Sequence, residues 1–370
     1  MGSTQRIESE PKVEIDYFGE DPAEQIDEEN SPYAEWNKLV DGGMSRIYLS
    51  SSNTVLKVSE ISSVVGSRVE RYSPLQPLEV KYLGHKLVGV DNSDILSLSR
   101  DSLIGLQHTY TEALILQEMA GTPHLVEYKN HHFASIKNNL CSVIEMEYVE
   151  KGKDLFLLLE LHKKIPYSDI GKIIMDTADT LIALGEHGIV HNDIKLDNLI
   201  YSKGEHPGYG STTVIDLGLS HKLPDYRFSI PVPWDIDRLL QENYTYPGCF
   251  KGTAGYATPE QVRGEKSTRQ SDVFQLGIVA FRMFTREPVF PKDCQDEHGK
   301  LDLGSLAAVG RYNQQDRDNL LQKLMKQQVP SSCIEAMAIA LDPDPAKRMI
   351  YPLREEARAI AEKGYESLPN

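Results

Sequence analysis

The sequence of 370 residues predicts an α+β protein in which a small strand-rich part precedes a larger helical part. Short β-rich runs separated by turn residues occupy residues 36–58. Beyond Gly152, apolar residues instead recur at spacings of three and four, which is the pattern of helices with one buried face. The length leaves room for either two domains or one unit of two lobes.

The first predicted elements are strands at residues 36–40, 45–50 and 54–58. Gly42-Gly43 and Ser51-Ser52-Asn53 separate them, and residues of this kind join antiparallel neighbours through tight turns. A further strand is predicted at 141–146, after a region of mixed pattern. These runs together predict a small antiparallel sheet.

The interval between Lys57 and Glu112 holds 54 residues, too many for one structureless loop. Residues 78–90 alternate as strands do, and residues 101–107 have a helical pattern. A helix through Glu112 is expected to end near Gly121, ahead of Pro123.

A longer helix is predicted to begin at Ser168, a residue type that favours the N-cap position. Its repeating apolar positions, which predict a buried face, are Ile170, Ile173, Ile174, Ala178 and Leu181. Further helices are predicted at 272–284, 316–327, 332–341 and 353–363.

The chain carries 55 acidic and 39 basic side chains, a net charge of −16. This balance argues against nucleic acid or an anionic membrane as a partner, because both require clustered lysine and arginine. The acidity either serves solubility or attracts basic substrates. Ten of the acidic residues lie within 1–31, where they predict a disordered or loosely docked arm.

The four cysteines are widely spaced and form no C-x-x-C pair, so neither a zinc site nor a disulfide framework is predicted. No run approaches the ~18 apolar residues of a membrane span. The first residues lack the pattern of a signal peptide. A reducing, cytoplasmic location is therefore expected.

Two motifs point to a chemistry. His-Asn-Asp-Ile-Lys-Leu-Asp-Asn occupies residues 191–198, and Ile-Asp-Leu-Gly occupies 215–218. An aspartate beside an attacking hydroxyl, with two oxygen ligands for magnesium, is what phosphoryl transfer requires. Each motif alone is weak evidence, and their order among others is stronger. The other motifs are DGGMSRIY at 41–48, VLKV at 55–58, TEALILQ at 111–117, GTAGYATPE at 252–260, DVFQLG at 272–277 and DPAKR at 344–348.

With these motifs in this order, the sequence resembles the eukaryotic-like (Hanks-type) serine/threonine protein kinases, and its Gly-Gly-Met-Ser loop is most similar to that of the bacterial members. The resemblance covers residues 36–358. It implies a bilobal protein-kinase-like fold, with a small antiparallel β-sheet lobe that has one main helix and a larger, mainly helical lobe. The implied divisions are an acidic arm at 1–31, an N-lobe at 32–146 with an insertion at about 59–108, a hinge at 147–153, a C-lobe at 154–365 and a tail at 366–370.

The resemblance implies an enzyme that uses ATP and Mg²⁺ to phosphorylate serine or threonine in protein substrates and in itself. Triphosphate is a dense anion that needs backbone N–H groups and a fixed cation. Lys57 is the implied cation, held by an ion pair with Glu112. Val40 replaces the first glycine of the family's loop, so we expect a stiffer loop or weaker nucleotide binding. The residues implied in nucleotide binding are Gly42, Gly43, Ser45, Lys57, Glu112, Glu147 and Val149.

Asp193 is the expected general base, or the carboxylate that orients the substrate hydroxyl. By the resemblance, Lys195 neutralises charge on the transferring phosphoryl group, and Thr253 bonds to both residues. This pairing is typical of kinases that act on serine and threonine, so tyrosine specificity is disfavoured. Asn198 and Asp216 are the implied magnesium ligands, and both offer the hard oxygen atoms that this ion prefers.

The resemblance also implies supporting contacts. Glu260 is expected to form a buried ion pair with Arg348, and Asp272 is expected to accept hydrogen bonds from the backbone around His191. Loss of either contact would cost activity, because a buried charge left unpaired is destabilising. His191 is expected to be a scaffold residue rather than a proton carrier.

Asn192 stands where kinases that depend on phosphorylation of the activation segment have an arginine, which pairs with the added phosphate. We therefore predict that activity does not require a phosphate held at this position. Replacing Tyr244, Thr245 and Tyr246 together with alanine is expected to leave the turnover of phosphate transfer intact. Abolished turnover in a variant that melts like the wild type would contradict this.

Two alternatives share parts of this pattern. A pseudokinase scaffold has the same fold without catalysis, and the change at Val40 is the one feature in its favour. A small-molecule kinase of the aminoglycoside or choline type shares the H-x-D-x-x-x-x-N motif and the later aspartate. Such kinases lack the peptide-positioning segment, represented here by Thr253, Glu260 and Asp272. The protein substrate and the oligomeric state are not specified by the sequence.

Overall fold

The computed structural model describes residues 37–41, 45–49, 53–62, 79–82, 85–88, 100–136, 139–162, 164–230, 252–290 and 303–363. The chain divides into two compact units. Among these residues, the first unit holds the chain up to Ala113 together with Tyr128–Tyr148. The second holds Leu114–Glu127, Val149–Ile230 and the residues after 251. The division after Tyr148 falls within the stretch predicted as the hinge.

The first unit is built on an antiparallel sheet. Its strands are β1 (Asn37–Asp41), β2 (Arg46–Leu49), β3 (Thr54–Ser62), β6 (Tyr128–Ile136) and β7 (Asn139–Glu147), in the order β1-β2-β3-β7-β6. Alternate residues of a strand share one face, and Leu56, Val58, Cys141 and Val143 use this spacing to form a buried cluster between β3 and β7. The sheet confirms the predicted strands and gives Lys57 a central place.

A hairpin and a long helix account for much of the interval before Glu112. The hairpin pairs β4 (Glu79–Tyr82) with β5 (His85–Val88), inside the predicted strand-like region. Helix α1 runs without a break over Arg100–Glu118, so residues 101–107 and Glu112 share one helix. The predicted insertion limits therefore differ from the element limits, since β3 continues to Ser62 and α1 crosses residue 108. Tyr110 lies between the two predicted helical stretches, where it is buried and packs edge-on against His131. This packing stabilises the helix between residue 107 and Glu112.

The second unit is mainly helical, which confirms the predicted α+β class. Its helices are α2 (Leu155–Leu161), α3 (Tyr167–Glu186), α4 (Pro259–Val262), α5 (Arg269–Thr285), α6 (Leu303–Gly310), α7 (Gln314–Lys326), α8 (Ser331–Ala340) and α9 (Ile350–Lys363). Helix α3 packs closely on α9, because a Cβ at Gly171 would lie 2.5 Å from the carbonyl oxygen of Ala357. None of the helices in the described ranges is long and apolar enough to cross a membrane.

Helix α3 begins earlier than predicted. Its N-cap is Pro166, and Ser168 lies inside the first turn and is buried. The prediction of Ser168 as the cap was wrong, because the helix already begins at Tyr167 and no side chain caps it by a hydrogen bond. The buried face of α3 contains all five predicted apolar positions.

Short strands in the second unit hold the loop around residue 193. Strand β10 (Leu199–Ser202) lies between β8 (Lys153–Asp154) and β11 (Ser211–Val214). Strand β9 (Ile189–Val190) pairs with β12 (His221–Lys222). The motif at 191–198 thus leaves β9 and enters β10, and both of its ends are anchored by backbone hydrogen bonds.

Candidate active site

Lys57 and Glu112 form a close ion pair in the first unit. The Nζ atom of Lys57 donates to both carboxylate oxygens of Glu112, at 2.7 and 2.9 Å. Lys57 is 8% exposed and Glu112 is 2% exposed. Lys57 is held by its register on β3, opposite Ile47 of β2 and Ile144 of β7. The predicted contact is therefore present, and burial makes each partner dependent on the other.

The predicted phosphate loop is described in part. Gly42 and Gly43 lie outside the described residues. Ser45 lies just before β2, and its hydroxyl oxygen is 2.8 Å from the Ser59 hydroxyl oxygen on β3. This contact ties the start of β2 to the strand that carries Lys57.

The predicted hinge residues lie at the end of β7. Glu147 is the last residue of that strand and pairs in register with Thr54. The next residue, Tyr148, donates its backbone N–H to the carbonyl oxygen of Asn53. Val149 accepts from the Gly152 N–H at 3.2 Å, which forms a turn before β8.

Asp193 is the centre of a hydrogen-bonded cluster in the second unit. Its Oδ1 accepts from the Thr253 hydroxyl at 2.8 Å, and its Oδ2 accepts from Lys195 Nζ at 2.7 Å. Asn198 Nδ2 donates to the same Oδ2 at 3.2 Å. Lys195 Nζ also donates to the Thr253 hydroxyl oxygen at 3.0 Å. These bonds hold the carboxylate in one orientation.

Helix α5 holds the loop backbone around Asp193. Asp272 accepts the backbone N–H groups of His191 and Asn192, both at 2.8 Å. The predicted role of Asp272 as an acceptor for this backbone is therefore seen in the geometry. Burial raises the pKa of Asp272 to about 7, against the two N–H groups, which lower it. The free-energy cost of burying this carboxyl group is offset because each of its oxygens accepts a hydrogen bond.

Gln275, one turn further along α5, continues this grip and was not identified from the sequence. Its amide nitrogen donates to the Asn192 carbonyl oxygen at 2.8 Å, and its amide oxygen accepts from the Ile194 N–H at 2.9 Å. Gln261 of α4 also donates to the Asn192 carbonyl oxygen. The sequence signal that could have identified Gln275 is its i, i+3 spacing from Asp272 on a largely buried face of α5.

His191 lies beneath this loop. It is fully buried, and burial lowers the pKa of its imidazole although the charges of Asp193 and Asp216 act to raise it. Its Nδ1 accepts the Asp193 backbone N–H at 3.3 Å. A neutral, inaccessible imidazole that accepts a backbone bond supports the scaffold role predicted for it.

Asn198 and Asp216 are held by adjoining backbone. The carbonyl oxygen of Asn198 accepts the Ile215 N–H at 2.9 Å, immediately before Asp216. Asn198 Nδ2 donates to the Asp193 carbonyl oxygen at 2.9 Å as well as to its carboxylate. Because both partners of this nitrogen are acceptors, the amide orientation is determined, and the Oδ1 atom is the one suited to a cation. An amide oxygen and a carboxylate fit the preferences of Mg²⁺.

Two residues of this region have left-handed backbone conformations. The φ angle is 69° at Asn192 and 62° at Asp216. Asparagine and aspartate tolerate this region better than other residues with a Cβ. Strained backbone of this kind concentrates at functional sites, where the surrounding structure maintains it.

Glu260 and Arg348 form the predicted buried ion pair. The two guanidinium nitrogens donate to the two carboxylate oxygens at 2.6 and 3.1 Å. The side chain of Arg348 is 0% exposed and that of Glu260 is 3% exposed. Ser271 donates to Glu260 at 2.8 Å, and Arg348 Nε donates to the Asp342 carbonyl oxygen at 2.7 Å. The pair fastens α4, which follows Thr253, to the chain before α9.

Asn192 makes a contact that sequence reasoning missed. Its side-chain nitrogen donates to the Leu219 carbonyl oxygen at 3.0 Å and lies 2.7 Å from Nδ1 of His221 on β12. The residue that replaces the expected arginine is thus bonded directly to the segment after Asp216. The sequence held no signal for this contact, because it joins residues 29 positions apart through loop geometry.

Comparison with known proteins identifies the family of the chain. Residues 94–357 match the protein kinase domain family. The chain therefore belongs to the protein kinase domain family. The match begins after Lys57, so the assignment of the phosphate loop and Lys57 depends on the motifs and on the contact with Glu112.

Individual relatives are serine/threonine kinases. The chain is 31% identical to serine/threonine-protein kinase PknB of Mycolicibacterium smegmatis over 46% of its own length and 24% of the relative. It is 24% identical to serine/threonine-protein kinases drp72 of Corynebacterium efficiens over 73% of the chain and 43% of the relative. It is 28% identical to serine/threonine-protein kinase 1 of Lymantria dispar multicapsid nuclear polyhedrosis virus over 50% of the chain and 57% of the relative. The chain thus spans less than two thirds of each of these relatives.

Proposed function

We propose that this chain is an ATP- and Mg²⁺-dependent protein kinase that transfers the γ-phosphate to serine or threonine hydroxyls, including its own. The Asp193 carboxylate, held between Thr253 and Lys195, is the observation that carries the proposal. Family membership and the names of the serine/threonine kinase relatives support the reaction class.

Asp193 is assigned to the acceptor hydroxyl. A carboxylate whose two oxygens have fixed partners can accept the hydroxyl proton in a set direction and align the oxygen for attack. Lys195 lies 2.7 Å from that carboxylate, so its ammonium is placed to stabilise negative charge that develops on the transferring group. Thr253 bonds to both residues and keeps them in one arrangement.

The nucleotide is assigned to Lys57 and the loop before it. Glu112 fixes the Lys57 ammonium, which would hold the α- and β-phosphates. Gly42, Gly43 and Ser45 are proposed to cover the phosphates, and the backbone at Glu147 and Val149 is proposed to contact the base. Asn198 and Asp216 would hold Mg²⁺, which would neutralise phosphate charge when bound.

Serine/threonine specificity, a protein acceptor and a cytoplasmic location are parts of the same proposal. The net charge of −16 supports basic acceptors, because an acidic protein attracts them at long range. A pseudokinase is disfavoured, since Lys57, Glu112, Asp193, Asn198 and Asp216 are all present. A small-molecule kinase is disfavoured by the protein kinase match and by the Glu260–Arg348 pair.

The test uses the purified chain, radiolabelled ATP, Mg²⁺ and a basic protein such as histone. The wild type is expected to label serine and threonine, and Lys57→Met is expected to lower the rate about 100-fold, because a fixed charge on the transition state is lost. Lys164→Met, at a solvent-accessible lysine outside the site, is the matched control. Labelling of tyrosine alone, labelling of an aminoglycoside or choline instead of protein, or an equal rate in Lys57→Met would contradict the proposal.

A further inference from the structure

A buried ion pair joins the end of helix α1 to strand β12. Lys222 Nζ donates to both carboxylate oxygens of Glu118, at 2.7 and 2.6 Å. The side chains are 8% and 3% exposed. Glu118 is the last residue of α1, and Lys222 belongs to the two-residue strand that follows the Asp216 motif. None of the sequence motifs identified either residue.

The surroundings of the pair make it more than a surface contact. The Lys222 ammonium also lies 4.6 Å from the centre of the Phe228 ring, which adds a cation–π attraction. His187 Nδ1 lies 3.9 Å from a Glu118 oxygen. Removing one partner would leave the other as an uncompensated buried charge, which is far more costly than loss of an exposed pair.

Strand β12 is bonded to the loop of Asp193 as well as to α1. His221 contacts Asn192, and the neighbouring Ser220 donates its hydroxyl to the His191 carbonyl oxygen at 3.1 Å. The backbone of His221 and Lys222 pairs with Val190 and Ile189. The strand therefore connects the last turn of α1 to the loop of Asp193.

We propose that the Glu118–Lys222 pair is a positioning contact that aligns helix α1, and with it Glu112, for phosphoryl transfer, without a phosphate on the activation segment. Glu112 lies six residues before Glu118, about 9 Å along the same helix axis. Fixing the last turn of a helix limits its rotation and sliding, on which the Lys57–Glu112 contact depends. The inference rests on the proposed kinase function.

The test measures kcat and KM for ATP with phosphatase-treated protein. Lys222→Met is expected to lower kcat/KM about tenfold, and Lys222→Arg, which keeps the charge and both hydrogen bonds, is expected to stay within about twofold of the wild type. The double variant that exchanges the two charges, Glu118→Lys with Lys222→Glu, is expected to have a kcat/KM about threefold higher than that of Lys222→Met. Lys172→Met is the matched control, because Lys172 lies on α3 and pairs there with buried Asp176.

A double-mutant cycle separates positioning from general destabilisation. Glu112→Gln is expected to lower kcat/KM about tenfold in the wild-type background but under about twofold in the Lys222→Met background, since both changes act through one helix. The same cycle with Lys172→Met is expected to be additive.

Three results would overturn the inference. The first is that the losses in kcat/KM of Glu112→Gln and Lys222→Met prove independent of each other. The second is that the exchanged pair has a kcat/KM no higher than that of Lys222→Met. The third is that the wild type loses activity on phosphatase treatment. A wild type that transfers no phosphate in any form overturns the proposed function, and this role of the pair with it.

Discussion

Asp193→Asn is expected to lower kcat for phosphate transfer by about three orders of magnitude, the middle of the range for loss of a general base. The physical reason lies in the three donors around the carboxylate. An asparagine keeps one acceptor oxygen, but its NH₂ group must face either the Thr253 hydroxyl or the nitrogens of Lys195 and Asn198. The substituted group therefore neither accepts the substrate proton nor preserves the cluster.

Steady-state kinetics with radiolabelled ATP measures this effect. KM for ATP is expected to change little, because Asp193 is assigned to the acceptor and not to the nucleotide. Asp318→Asn on α7 makes the same chemical change at a half-exposed position outside the Asp193 cluster and serves as the control. A kcat for Asp193→Asn within about tenfold of the wild type would remove Asp193 from the chemistry and leave binding as the alternative role.

Glu260→Gln is expected to destabilise the protein by about 3–5 kcal/mol, the cost of breaking a buried ion pair on one side. The Arg348 guanidinium is fully buried, and it would retain its carbonyl contacts but lose its balancing charge. Thermal melting should show a large fall in Tm, and activity should fall with it because α4 follows Thr253. Glu265→Gln breaks an exposed Arg–Glu pair and is expected to leave Tm unchanged. Equal melting of both variants would show that the buried pair contributes nothing.

This destabilisation should depend on pH. Burial raises the pKa of Glu260, but the hydrogen bond and charge of Arg348 outweigh burial and lower it below its usual 4.5. A carboxyl group with a lowered folded-state pKa contributes stability that is present above its unfolded pKa and lost as pH falls through the folded value. The Tm difference between wild type and Glu260→Gln is therefore expected to be full at neutral pH and to shrink as pH falls below 4.5.

The local pattern was sufficient for elements with strong periodicity. The apolar spacing of α3 and the alternation of β3 and β7 predicted these elements, because each depends on one buried face. The start of α3 and the full length of α1 were not predicted. Helix α3 begins without a side-chain cap, so no capping residue marks its start in the sequence. In α1, Tyr110 packs against His131, which lies far from it in the sequence.

Residue types in motif order were enough to indicate the family and the acid–base and metal-ligand candidates, because phosphate chemistry restricts which side chains can serve. The pairings Lys57–Glu112 and Glu260–Arg348 followed from the resemblance to that family. The contacts of Gln275, Asn192 and the Glu118–Lys222 pair became visible only in three dimensions. Glu118 and Lys222 are 104 residues apart, and their types are common on any surface. What makes them significant is burial and mutual distance, and both quantities arise from how the chain packs.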